Sequence, residues 1–220
     1  MWDKVSECAH ALLLVRSAWN MQSAPDEALG EDPLVIFAAW YEDAVRSGAP
    51  FPDAMTLATA TSDGRPSARI VLYKGLRGPG IFFVTNYESQ KARELEGNPE
   101  AAVVFFWPSL GRQVRIVGQV ERATSEESDA YFRSRPRESQ LGAWVSAQSQ
   151  PLASRAELEQ RFRELEQSFE GKPIERPAFW GGYRLVPRVF EFWLSREFRL
   201  HDRFRYELAG GGWRCERLAP

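Results

Sequence analysis

Basic side chains recur beside hydroxyls at the ends of elements in this 220-residue chain, and that pairing is the chemistry of anion binding. The stretch "YFRSRPRESQLGAW" at 131–144 carries Arg133, Arg135 and Arg137 within five positions, framed by Tyr131 and Ser139. Tyr131 and Arg135 are four apart on a predicted helix and share a face, and Ser139 lies just past the turn at Pro136. A phenol, a guanidinium and a hydroxyl can thus converge on one phosphate. Arg133 and Arg137 are expected to face solvent. A second candidate is "TNYESQK" at 85–91, where Thr85 and Ser89 stand beside Lys91 at a strand-to-helix junction whose backbone N–H groups and dipole favour an anion. "RIVLYK" at 69–74 places Arg69 and Lys74 at the two ends of a strand, five residues apart, which predicts opposite faces. In "REFRLHDRFRY" at 196–206, Arg199, His201 and Arg203 alternate and share one face if the segment is extended, so that the imidazole meets an anionic or polarised ligand.

These sites are local, because the chain as a whole carries no field. It has 28 basic and 30 acidic residues, a net charge of −2, which gives no global attraction for nucleic acid or anionic lipid. His10 and His201 are the only histidines, so a histidine-rich metal site is excluded, and no glycine-rich phosphate loop follows a strand. Cys8 and Cys215 have neither metal nor disulfide spacing, which suits a reducing compartment. "ALLLV" at 11–15 is too short for a signal core and follows an acidic start, and no run approaches the ~20 apolar residues of a membrane span. A cytoplasmic, soluble protein is expected.

The elements that must hold these residues are mostly strands. Asp32 and Pro33 open a helix with Leu34, Phe37, Ala38 and Tyr41 on one face, ending near Gly48. "AMTLATATSDGRPSARIVLYKG" at 54–75 reads as two strands joined at Asp63 and Gly64, and "GIFFVTN" at 80–86 as a third. "SQKARELEGNP" is a helix starting at Ser89. "AAVVFFW" and "QVRIVGQVERA" are a fourth and fifth strand, with Gly118 marking a bulge or a close approach. Thr124 and Glu127 form a capping box, and Ser154 with Glu157 repeats it ahead of a core-facing stripe of Leu158, Phe162, Leu165 and Phe169. "GGYRLVP", "VFEFWLS" and a hairpin of "RFRYELA" with "GWRCERL" complete the chain. Such short connections favour an antiparallel, mainly β (α+β) fold, a closed or nearly closed barrel with flanking helices. Residues 32–220 are expected to form one domain, and residues 1–31, with a helical pattern over Val5–Trp19, a mobile N-terminal segment acting as a lid.

These clusters, in this order, resemble the pyridoxine (pyridoxamine) 5′-phosphate oxidases. The resemblance runs from "DPLVIFAAW" to "ERLAP" through "RIVLYK", "TNYESQK", "RQVRIVGQVER", "YFRSRPRESQLGAWVSAQSQ", "FWGGYRLVP", "EFW" and "RLHDRFRY". It implies a split-barrel flavoprotein, a homodimer with FMN in its interface. It also implies oxidation of pyridoxine or pyridoxamine 5′-phosphate at the 4′ carbon, with oxygen reoxidising the flavin to give hydrogen peroxide and pyridoxal 5′-phosphate. By resemblance the FMN contacts are Arg69, Ile70, Val71, Leu72, Lys74, Val84, Thr85, Gln90, Lys91, Gln113, Gln148, Ser149, Trp193 and Arg203. The substrate phosphate falls to Lys74, Tyr131, Arg135 and Ser139, the catalytic pair is Arg199 and His201 over the pyridine ring, and Arg16 with Trp19 forms a cover. Two departures stand out: Gln90 where many members have an arginine, and Trp19 in place of a tyrosine. A phenazine-pathway branch shares fold and flavin but lacks the tyrosine, arginine and serine anchor present here. An oxidase of that type, or a non-catalytic flavin or pyridoxal phosphate carrier, is the alternative.

Overall fold

Asp32 accepts a hydrogen bond from the Leu34 amide and Pro33 fills the first turn, so the first helix starts where its sequence signals it, α1 at Pro33–Arg46. The computed structural model describes residues 32–220, so Arg16, Trp19 and the proposed lid lie outside the described residues. The strands are β1 (Ala54–Ala60), β2 (Pro66–Leu72), β3 (Leu76–Arg77), β4 (Gly80–Asn86), β5 (Glu100–Trp107), β6 (Arg112–Arg122), β7 (Trp180–Leu194), β8 (Asp202–Ala209) and β9 (Gly212–Leu218). The helices after α1 are α2 (Gln90–Gly97), α3 (Ser125–Arg133), α4 (Arg137–Val145) and α5 (Arg155–Ser168). Hydrogen-bonded neighbours run β2-β1-β5-β6-β7-β4-β3, with β8 on β7 and β9 on β8. The β3·β4, β4·β7, β7·β8 and β8·β9 ladders are antiparallel. No helix among the described residues is long and apolar enough to cross a membrane.

The chain divides into two compact units, one of residues up to Leu57 with Ala102–Gly118 and Pro187–Pro220, the other of Ala58–Ala101 and Gln119–Val186. In the first unit α1 buries Ile36, Phe37, Trp40 and Ala44. Phe37 packs 5.0 Å from Phe105, and Trp40 meets Phe192 edge-on at 5.2 Å. That face differs from the expected one, since only Phe37 of its four residues is buried. The first turns of α1 are apolar all round, so periodicity could not fix the phase, and burial of the large Trp40 ring decides it. Arg112 lies 4.7 Å over Trp40 and pairs with Asp43 at 2.9 Å.

The second unit carries the connections between β2, β4, α2, α3 and α4. The turn between β1 and β2 closes through Thr61 and Arg65 with Gly64 at φ +85°, the left-handed position that glycine occupies freely. Burial alternates without interruption through Gly118, so β6 has no bulge there. The two strands expected around Pro187 are one strand of 15 residues. Pro187 falls where β7 changes partner, from β4 at Leu185 to β8 at Val189, and its missing N–H costs neither ladder a bond. On β7, a Cβ at Gly182 would come within 2.3 Å of the Phe82 ring and one at Gly181 within 2.1 Å of the Tyr87 hydroxyl, so "GG" is the condition for these aromatics to pack on the strand. The capping box of Thr124 and Glu127 is formed on both sides. The α5 stripe is only half-buried: Phe162, Leu165 and Phe169 rest on a cluster built around Phe132, Leu141 and Trp180.

Candidate active site

Within the second unit, β2, the β4 end, the α2 start and the α3–α4 turn enclose a cavity of about 660 Å³. Arg69, Ile70, Val71, Leu72, Lys74, Val84, Thr85, Lys91, Tyr131, Arg135, Ser139 and Gln148 all line it. Arg69 and Lys74 therefore face one space and not opposite ones. The strand ends at Leu72, and Gly75 at φ +96° lets Lys74 and Gly75 bond back to Phe82, so alternation from Arg69 does not carry through to Lys74.

Lys91 is buried at the first turn of α2. Among the described residues its ammonium donates to three neutral oxygens, Gln148 Oε1 at 2.7 Å and the hydroxyls of Thr85 and Ser89 at 3.1 Å. Burial, and after it the charge of Arg69, bring this ammonium down to about 8 against an opposing pull from Glu94. Ser89 thus serves Lys91 and does not cap α2 through its side chain. The Ser149 hydroxyl accepts from the Gln90 amide at 3.2 Å, so one of the N–H groups expected to be open to an anion is taken. The Gln90 side chain donates to Glu94 at 2.8 Å and lies outside the cavity lining.

Tyr131 is on α3, but the helix ends at Arg133 and Arg135 sits in the turn beyond it, its amide bonded to the Phe132 carbonyl. The guanidinium lies 4.6 Å over Trp180, whose indole also stacks on Tyr131 at 6.4 Å. Among the described residues Arg135 Nη1 is buried without a hydrogen-bond partner, and burial lowers the pKa of the group. Ser139 lines the same cavity from the first turn of α4. Arg133 and Arg137 are both exposed as expected, and Arg137 also donates to the carbonyls of Phe169 (2.6 Å) and Lys172 (3.1 Å), tying down the α5 end. Trp180, the platform beneath the anchor, went unread in the sequence; its position directly before "GG" is the only local signal.

The remaining candidates belong to the first unit. Trp193 and Arg203 are register partners on β7 and β8, and Gln113 is half-buried on β6. Arg203 is fixed by two bonds to Glu191 Oε1, from Nε at 3.1 Å and Nη2 at 2.9 Å, while Arg115 holds the other carboxylate oxygen at 2.6 Å. The expectation that Arg199, His201 and Arg203 share a face fails, because the segment is not extended. Glu197–Arg199 is a 3₁₀ turn, Phe198 and Arg199 have φ of 56° and 61°, and β8 begins only at Asp202. His201 packs 4.5 Å from Trp193, and its Nδ1 accepts the Arg196 amide at 3.1 Å, which places the neutral ring's proton on Nε2.

Residues 41–169 match the family model described as pyridoxamine 5′-phosphate oxidase, and 180–220 the one described as the pyridoxine 5′-phosphate oxidase C-terminal dimerisation region. The pyridoxine/pyridoxamine 5′-phosphate oxidase of Rubrobacter xylanophilus is 53% identical over 206 residues, 94% of this chain and 95% of that one. Its counterpart in Bordetella petrii is 50% identical over 207 residues, 94% and 98% of the two chains. Among solved structures, PhzG from Burkholderia lata 383 in complex with tetrahydrophenazine-1-carboxylic acid aligns with a TM-score of 0.82 at 34% identity, over 86% of this chain and 93% of that one. A pyridoxamine 5′-phosphate oxidase-related, FMN binding protein of Nostoc punctiforme aligns at 0.69 with 19% identity, over 87% of this chain and 100% of that one, a likeness of fold alone. The fold is the antiparallel split barrel with flanking helices and a C-terminal dimerisation region.

Proposed function

The chain belongs to the pyridoxine/pyridoxamine 5′-phosphate oxidase family, and from that premise we propose that it converts pyridoxine 5′-phosphate and pyridoxamine 5′-phosphate to pyridoxal 5′-phosphate, with FMN as resident cofactor and oxygen as acceptor. The observation that carries the reading is that Nη1 of Arg135, in the cavity that also holds Lys91 and Arg69, is buried and has no partner among the described residues. A buried cationic donor without an acceptor is costly, and a phosphate oxygen is the acceptor that suits a guanidinium. Two basic groups of residues in one cavity match a cofactor and a substrate that each carry a phosphate.

Bound FMN supplies the two-electron redox chemistry. Arg69, Thr85 and Lys91 would hold its phosphate. Ile70, Val71, Leu72, Val84, Gln148 and Ser149 would hold the rest; Gln113, Trp193 and Arg203 are assigned to FMN by resemblance alone. Gln90 contributes through its backbone and through Glu94, not as a second cation. Lys74, Tyr131, Arg135 and Ser139 would take the substrate phosphate, and the Trp180 platform keeps Arg135 from collapsing into the space. Gripping the substrate at a point remote from the reacting carbon supplies orientation, which lowers the barrier without acid–base chemistry. Arg199 and His201 are assigned to the pyridine ring, His201 presenting an Nε2–H donor. Arg16 and Trp19 are assigned to the cover by resemblance alone. The match of residues 180–220 to a dimerisation region supports a homodimer.

The competing reading, an oxidase of a phosphate-free aromatic, draws on the 34% identity with the phenazine-bound PhzG, but the 53% and 50% identity with pyridoxine/pyridoxamine 5′-phosphate oxidases over 94% of this chain favours the phosphate substrate. The test is direct. The purified protein should carry FMN, seen in its absorption spectrum, and should consume oxygen and form pyridoxal 5′-phosphate when given pyridoxamine 5′-phosphate. A flavin-free protein, or flavin without oxygen uptake, contradicts the proposal, the second outcome favouring a carrier.

A further inference from the structure

Glu94 is a buried carboxylate beside a cavity whose proposed ligands are anions, a placement that works against anion binding unless the charge does something else. Its Oε2 accepts from the Thr59 hydroxyl, from Ser67 Oγ at 2.6 Å and from Arg69 Nη2 at 3.2 Å, and its Oε1 from Gln90 Nε2 at 2.8 Å. The two hydroxyls that donate to Glu94 are the same two that accept from the Arg69 guanidinium, Thr59 from Nη1 and Ser67 from Nη2. A hydroxyl has one proton to give, and a carboxylate can only accept. Glu94 therefore dictates the direction of both hydroxyls, drawing their protons to itself and turning their lone pairs toward Arg69. Burial would raise the pKa of the carboxyl, but the bonds from Ser67, Thr59 and Gln90 and the charge of Arg69 outweigh it and hold it at about 2, so the group is charged at any working pH.

We propose that Glu94 is a positioning residue for cofactor binding: through Thr59, Ser67 and a direct ion pair it fixes the Arg69 guanidinium in the cavity wall where the FMN phosphate binds. The inference rests on reading that cavity as the FMN site. It commits to a sign. If Glu94 acted only through its charge, removing that charge would tighten the binding of a phosphate; if it acts by orienting Arg69, removal loosens it. It also commits to a part of the ligand, since only the phosphate end of the flavin feels the change.

The experiment titrates FMN and riboflavin into the apoprotein, following flavin fluorescence, for wild type, Glu94→Gln, Arg69→Ala and the double variant. The expected result is that Glu94→Gln raises the FMN Kd by about tenfold or more and leaves the riboflavin Kd within about twofold. In the Arg69→Ala background, adding Glu94→Gln should then change the FMN Kd by less than about twofold. Unchanged or tighter FMN binding by Glu94→Gln, an equal loss of FMN and riboflavin, or additive losses in the double variant each overturn the proposal. Wild-type protein that binds no FMN overturns the reading of the cavity itself, an outcome distinct from wild type that binds while Glu94→Gln binds equally. If Glu94→Gln does not fold, Ser67→Ala, which removes one relay hydroxyl and no charge, should weaken FMN and spare riboflavin, and unchanged FMN affinity in it overturns the proposal.

Discussion

The guanidinium carbon of Arg135 lies 4.6 Å from the centre of the Trp180 ring, while its Nη1 stays buried and unbonded among the described residues. The indole supplies a surface that a charge-free neighbour would not, and the guanidinium is held ready before any ligand arrives. Replacing Arg135 by Ala should raise the Michaelis constant for pyridoxamine 5′-phosphate by roughly 10- to 150-fold, the loss of a charge-assisted contact of about 1.5–3 kcal/mol. Arg135→Lys should recover only part of this, because an ammonium cannot stack and reach in the same way. Steady-state kinetics decide it; an unchanged constant in Arg135→Ala removes the anchor.

Lys91 should make cofactor binding depend on pH. Its ammonium sits at about 8 in the ligand-free protein and a phosphate needs it charged. FMN affinity should be flat below that value and fall above it, by up to roughly tenfold per pH unit, as the free protein loses the proton that the complex retains. The same shift has the opposite effect on the stability of the apoprotein. The folded state binds this proton less well than the unfolded chain, whose lysine titrates near 10.5, so stability should rise with pH between about 8 and 10.5. Titration of FMN from pH 6.5 to about 9.5 tests the first claim, and Lys91→Met should flatten the profile.

The candidate site was legible where the signals are local. Thr85, Ser89 and Lys91 lie within seven residues, and the Thr124 capping box fixes α3, so both could be read from neighbours in the chain. Glu94 could have been found from its helical spacing to Gln90 and Lys91, but its bonds to Thr59 and Ser67 span 35 and 27 residues and leave no local trace. Alternation fails wherever the backbone leaves the extended region, at Gly75 before β3 and at Phe198 and Arg199 before β8. In the sequence Pro187 reads as a break, but a proline inside a strand is costly only when its N–H has a partner to lose, and that depends on which strands flank it.

Arg199 is exposed on its 3₁₀ turn in the first unit. Its replacement by Ala should lower turnover by far more than it lowers FMN content, which should stay within about twofold of wild type. Turnover at the normal rate would refute the assignment of Arg199 to the substrate ring.

Glu191 holds Arg115 and Arg203 with its two oxygens while only 5% of its side chain is exposed. Glu191→Ala leaves two cations facing each other without the carboxylate and should cost about 3 kcal/mol of stability, the low end for breaking a buried pair because both arginines can regain water. Urea unfolding of the apoprotein measures this, and a change within about 0.5 kcal/mol would show that the network contributes nothing to the fold.

The central claim is that this cavity selects its substrate by a phosphate. The measurement that addresses it is the ratio of kcat/KM for pyridoxamine 5′-phosphate to that for pyridoxamine, in wild type and in Arg135→Ala. The expected ratio is on the order of 100 or more in wild type and collapses by at least about tenfold in the variant. Equal use of the two amines by wild type, or a ratio that survives the loss of Arg135, would contradict it.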